Sequence, residues 1–133
     1  MKTLVLKNKS TGMTIGYRIE CADTSLSRLV GLLGRKGLAA GGGLWIRPSS
    51  GIHTFGMRFT IDAVGLDAKL RVVNLWPNLR PYRISSISST VRSVLELAAG
   101  EISARLIEVG QFFEDPQQQH RCTSRPPQQN ERV

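Results

Sequence analysis

Gly51-Ile-His-Thr-Phe-Gly-Met-Arg-Phe-Thr-Ile-Asp-Ala-Val-Gly-Leu-Asp67 is the stretch whose reading decides the fold. Read as extended chain, it places His53, Phe55, Met57 and Phe59 on one face and Ile52, Thr54, Gly56 and Arg58 on the other. Ile61 to Leu66 then continues as an apolar arm, and Leu70 to Trp76 returns as a second arm around the turn Asp67-Ala68-Lys69. This stretch therefore predicts a central strand followed by a hairpin, and with it a sheet.

Working outward toward the N-terminus, Thr3 to Leu6 and Met13 to Glu20 read as two strands joined by the polar turn Asn8-Lys9-Ser10-Thr11-Gly12. Alternation puts Ile15, Tyr17 and Ile19 on one buried face. Asp23-Thr24-Ser25 supplies N-cap oxygens, and Leu26, Leu29, Val30 and Leu33 follow at helical spacing, predicting a short amphipathic helix from Ser25 to Leu33. Leu38-Ala-Ala-Gly-Gly-Gly43 reads as a flexible connection into the apolar strand Leu44-Trp45-Ile46. It is no P-loop, because the lysine and hydroxyl that should follow the last glycine are missing.

Toward the C-terminus, Pro77 to Thr90 reads as irregular, with Arg80 and Arg83 flanking Pro81-Tyr82. Val91 to Leu97 resumes as a strand, Ala98 to Leu106 as a helical turn, and Val109 to Phe113 as a closing strand. Residues 114–133 are polar and carry too little apolar surface to offset the entropy of ordering, so a disordered tail is expected after a single domain spanning residues 1–113. The fold class predicted is mainly β: a small antiparallel barrel or half-barrel with one short amphipathic helix packed on it.

A length of 133 residues suits one core, and 41% hydrophobic residues with 13 glycines fit a turn-rich globular domain. The formal charge of +8 belongs to the folded part, since Arg121, Arg125 and Arg132 balance Glu114, Asp115 and Glu131 in the tail. Such a surface attracts anions without naming one. Cys21 and Cys122 lie too far apart for a metal knuckle or a disulfide framework. No signal peptide or transmembrane segment is evident, so a cytoplasmic monomer is expected.

His53 is the first candidate for chemistry, since imidazole titrates near neutrality, although its apolar neighbours equally suit a core-edge histidine. Asp62 opens an apolar segment, where a carboxylate must cap backbone amides, reach solvent or serve a site. Arg28, Arg35 and Arg58 carry guanidinium forks suited to phosphate or carboxylate. With Thr54 and Met57 these residues form the expected ligand-binding set. Neither a metal nor a cofactor is expected, because no cluster of convergent ligands is present.

Three functions follow. The first is a binding or accessory module for a small polar or anionic ligand or a protein partner. The second is a hydrolase-like enzyme with His53 as acid/base and Asp62 as its orienter. The third, nucleic-acid binding through Gly34-Arg35-Lys36-Gly37, is disfavoured because the Gly-x-x-Gly clamp needs a helix on both sides and three glycines follow.

The blocks Ser27-Arg28-Leu29-Val30-Gly31-Leu32-Leu33-Gly34-Arg35, Gly43-Leu44-Trp45-Ile46, Ile52-His53-Thr54-Phe55-Gly56-Met57-Arg58-Phe59, Ile61-Asp62, Leu66-Asp67, Val94-Leu95-Glu96-Leu97-Ala98-Ala99-Gly100 and Val109-Gly110 occur in that order. Together they resemble domain of unknown function family 192, over nearly everything from Leu4 to Phe113. The resemblance implies a compact, barrel-like, mainly β domain and no established reaction. It carries the family's motifs onto His53, Thr54, Phe55 and Met57, onto Ile61 and Asp62, and onto Arg28, Gly31 and Leu32. Thr60 stands where a proline is usual, Gly65 where an aromatic is common, and Gln111 where an acid often follows Val-Gly. Gly65 should therefore leave room in the core or beside a ligand.

Overall fold

A computed structural model of the chain describes residues 3–22, 37–51, 59–81 and 89–115. Within them lie strands β1 (Thr3–Asn8), β2 (Thr14–Ala22), β3 (Gly42–Ile46), β4 (Ile61–Leu66), β5 (Val72–Leu79) and β6 (Ser93–Ala98), helix α1 (Glu101–Ala104) and strand β7 (Phe113–Glu114). The strands form one sheet in the order β5-β4-β6-β3-β2-β1-β7. Every pair is antiparallel except β2 and β3, which run parallel.

The two ends of this order meet. Arg71 and Phe112 form an antiparallel bridge. The Val72 N–H donates to Gln111 O at 2.8 Å, and the Gly110 and Phe113 N–H groups donate to Val72 O and Leu70 O at 2.8 Å each. The sheet thus curls into a half-barrel stitched at one end, in keeping with the small barrel or half-barrel expected.

Inside the curl lie Leu4, Leu6, Ile15, Ile19, Cys21, Trp45, Val64, Leu66, Val72, Leu95, Leu97, Ile107 and Phe113. A second apolar layer occupies the outer face of the central strands, with Ala22, Leu44, Ile61, Ala63, Val91 and Val94 buried and Phe59, Val73 and Trp76 packed against them. Burial on both faces explains why β4 reads as an apolar segment interrupted only by Asp62 rather than as an alternating strand.

Several expectations need correction. Tyr17 does not share the buried face of Ile15 and Ile19; it is 59% exposed. The cause is a bulge: Leu4 pairs with Ile19 but Leu6 with Gly16, and the Tyr17 and Arg18 N–H groups both donate to Gly41 O. Gly42 and Gly43 lie within strand β3 rather than in a flexible connection. β5 continues past Trp76 to Leu79, through Pro77, which an edge strand tolerates because no partner there needs its missing N–H. The closing strand begins at Phe113, since Val109 and Gly110 form a turn.

The expected helix from Ser25 to Leu33, the strand through His53 and the tail beyond Asp115 lie outside the described residues.

The room at Gly65 is occupied. A Cβ there would stand 3.0 Å from Val91 Cγ2 and 3.1 Å from Trp76 Cη2. The indole of Trp76, from the neighbouring strand, fills the volume that an aromatic at position 65 would take. Replacing Gly65 with alanine is expected to destabilise by about 1 kcal/mol, overpacking outweighing the entropy gain of losing a glycine. In urea unfolding, the cost of Gly65→Ala should shrink in a background with a smaller side chain at position 76, as in Trp76→Leu; an equal cost in both backgrounds would show that Trp76 does not set the volume.

Candidate functional site

Asp62 is the one expected ligand-binding residue among those described. It is 1% exposed and shares the inward face of β4 with Val64 and Leu66. Its Oδ1 accepts the Asn78 N–H at 2.9 Å, and its Oδ2 accepts those of Gly100 at 3.1 Å and Ile102 at 2.9 Å. The surrounding chain is shaped for this. Ile61 pairs with Leu79 but Ala63 with Trp76, so β5 carries an extra residue. Asn78 takes a positive φ of 54°, which turns its N–H toward the carboxylate. Gly100, the N-cap of α1 at φ 92°, has no side-chain cap of its own. Asp62 caps α1 from another strand, an acceptor of negative charge at a helix N-terminus.

His53, Thr54, Met57, Arg58, Arg28 and Arg35 lie outside the described residues. Ser49, beside that segment, donates its hydroxyl to Gly51 O at 2.6 Å, which closes the turn.

At the other end of β4, about 16 Å from Asp62 at the rise of a strand, the closed end of the half-barrel forms an open groove of about 630 Å³. The β4–β5 turn contributes Asp67, Lys69 and Arg71, the approach to β6 contributes Ser89, Thr90 and Arg92, and the turn before β7 contributes Gly110 and Phe112. Leu66 brings these segments together by pairing with Val72 on one side and Ser93 on the other.

The backbone under each cation is pinned. Asp67 Oδ1 accepts the Lys69 and Arg71 N–H groups at 2.8 and 2.9 Å, so the turn residue expected at position 67 is a turn residue. The Arg92 N–H donates to Leu66 O at 2.8 Å. Phe112 is held through Ser10 Oγ, which accepts its N–H at 2.9 Å, and through the Lys9 N–H, which donates to Phe112 O at 2.7 Å. Arg71 Nη2 comes within 3.8 Å of where a Gly110 Cβ would stand.

Among the described residues, Lys69, Arg71 and Arg92 form no ion pair or side-chain hydrogen bond. Three cations thus face one carboxylate, and Oδ1 of that carboxylate is tied to its own turn. Guanidinium groups presented this way suit phosphate or carboxylate oxygens. No group of three or more His, Cys, Asp or Glu side chains able to hold a metal occurs among the described residues. Sequence reasoning missed this groove because its cations come from two segments some twenty residues apart, with no local motif in either.

Gln111, beside the groove, accounts for the departure from an acid at that position. Its Oε1 accepts Asn8 Nδ2 and the Glu108 N–H at 2.8 Å each, and its Nε2 donates to Leu106 O at 3.3 Å. A carboxylate could accept the first two but could not make the third.

The family profile for an uncharacterized group, domain of unknown function family 192 (Uncharacterized ACR), matches residues 6–114. The chain belongs to this family. Two solved structures are similar to this family member. A protein of unknown function from Novosphingobium aromaticivorans is 22% identical over 84% of this chain and 83% of its own, with a TM-score of 0.72. A proposed transcription regulator from Sinorhizobium meliloti is 22% identical over 84% of this chain and 91% of its own, with a TM-score of 0.71. At that identity the likeness establishes the shared fold. No curated protein matches. Among the described residues no helix is long and apolar enough to cross a membrane.

Proposed function

We propose that this family member is a monomeric, non-catalytic binding module for a small anionic ligand, received in the groove at the closed end of the half-barrel. The observation that carries this reading is the convergence of Lys69, Arg71 and Arg92, without anionic partners among the described residues, on a concavity edged by Ser89 and Thr90. The size falls within the range of small-molecule sites. The hydrolase-like alternative draws no support from Asp62, whose two oxygens already accept three backbone N–H groups.

Titration of the full chain with pyrophosphate at low ionic strength, followed by amide chemical shifts, tests the reading. Shifts should concentrate at residues 67–71, 89–92 and 110–112. The double variant Arg71→Ala/Arg92→Ala should lose at least about tenfold in affinity, since each charge-assisted contact contributes about 1.5–3 kcal/mol when well formed. Both side chains are exposed, so the melting temperature should barely move. Perturbations centred instead on His53, Arg58, Arg28 or Arg35 would move the site to the residues expected from sequence. Absence of any response to anions would overturn the anionic reading altogether.

A further inference from the structure

Resting on that anion-binding reading, we infer that the groove takes a nucleotide rather than a bare anion, with the phosphate on Arg71 and Arg92 and the base stacked on Phe112. Phe112 is 39% exposed, an aromatic left partly in solvent by a protein that buries Trp45 and Phe113. It is also the cross-strand partner of Arg71. Directly opposed residues of an antiparallel pair carry their Cβ atoms about 4.5–5.5 Å apart on one face of the sheet. A ring and a guanidinium therefore rise from neighbouring positions on one face, without stacking on each other, so that one ligand can reach both.

The local chain fixes this arrangement. Phe112 is anchored through both of its backbone polar groups, by Ser10 and Lys9, so its ring is offered from a rigid position. Gly110 carries no side chain beside Arg71, which leaves the guanidinium clear on that side. Ser89 at the rim carries a hydroxyl of the kind that suits a ribose. Stacking on an aromatic is tolerant of base identity, because every base has a π-face, so selectivity for one base is not expected. A volume of about 630 Å³ holds one nucleotide and not a strand of them.

The test compares three probes on the full chain by calorimetry at fixed low salt: inorganic phosphate, adenosine, and adenosine 5′-monophosphate. Adenosine 5′-monophosphate should bind at least about tenfold more tightly than phosphate, the increment a stacked base typically adds. Phe112→Ala should erase that increment, so that adenosine 5′-monophosphate and phosphate bind it equally, and its binding of phosphate shows that the variant is folded. Phe112→Trp should keep or enlarge it. Equal affinity for phosphate and adenosine 5′-monophosphate would overturn the nucleotide inference and leave the anion site standing. No binding of any probe would overturn both.

Discussion

Asp62→Asn is expected to lower the stability of the fold by about 2–3 kcal/mol, because it removes a buried, charge-assisted acceptor that three backbone N–H groups share. The carboxylate presents two equivalent oxygens, and each is occupied, Oδ1 by Asn78 and Oδ2 by Gly100 and Ile102. An asparagine amide keeps one oxygen and replaces the other with a donor. Whichever way it is oriented, its NH2 meets at least one backbone N–H, which loses its acceptor at a cost of about 1–2 kcal/mol, while the bonds that survive lose the strength a full charge gives them. The start of α1 also loses its negative capping group. Urea unfolding should show the midpoint displaced with the m-value unchanged. Amide hydrogen exchange should accelerate selectively at Asn78, Gly100 and Ile102, a pattern that uniform weakening would not produce. A loss below about 1 kcal/mol would mean that these bonds contribute little and that Asp62 is held for some other purpose.

The same residue marks the limit of what the sequence discloses. An acid opening the run Ile61 to Leu66 had to be satisfied somehow, and an amide cap and a functional carboxylate were equally consistent with that position. The donors come from Asn78 and from Gly100 and Ile102, which adjoin Asp62 only after β5 has acquired its extra residue and β6 has paired with β4. Local sequence reading did locate β4, β6 and the turn at Asp67, because a buried strand and an Asx turn are specified by a few neighbouring residues. It failed at Tyr17, where two successive N–H groups share Gly41 O and the period of two is broken by a distant backbone oxygen. It failed at Pro77 as well, since only the sheet order shows that β5 lies at an edge. The groove was invisible for a related reason. Arg71 and Arg92 look like ordinary strand-end cations until Leu66 pairs with a neighbour on each side and Phe112 closes the seam.

Gly43→Val should destabilise by about 3 kcal/mol, although strand propensity alone argues for the opposite sign, glycine being depleted in strands and valine enriched. Gly43 lies in β3 between β2 and β6, pairing with Ile19 on one side and Leu97 on the other. A Cβ at this position would stand 2.7 Å from the backbone oxygen of Glu96 and 3.0 Å from both Ile19 Cδ1 and Leu97 Cδ2. The two side-chain contacts could relax by rotation, but the Glu96 oxygen belongs to a strand held on both flanks, by β3 and by β4. Relief therefore requires β3 to move away from β6, which loosens the layer of Leu44 and Val94 on one face and that of Trp45 and Leu95 on the other. For a domain of this size the melting temperature should fall by roughly 12 °C. Gly42→Ala is the control: the nearest atom to a Cβ there is Ala39 O at 3.3 Å, in an exposed connection rather than a flanked strand, so its cost should stay at about 1 kcal/mol. Equal costs at the two positions would show that the glycine run serves chain flexibility, while a large difference would show that close approach of β3 to β6 is what requires glycine at position 43.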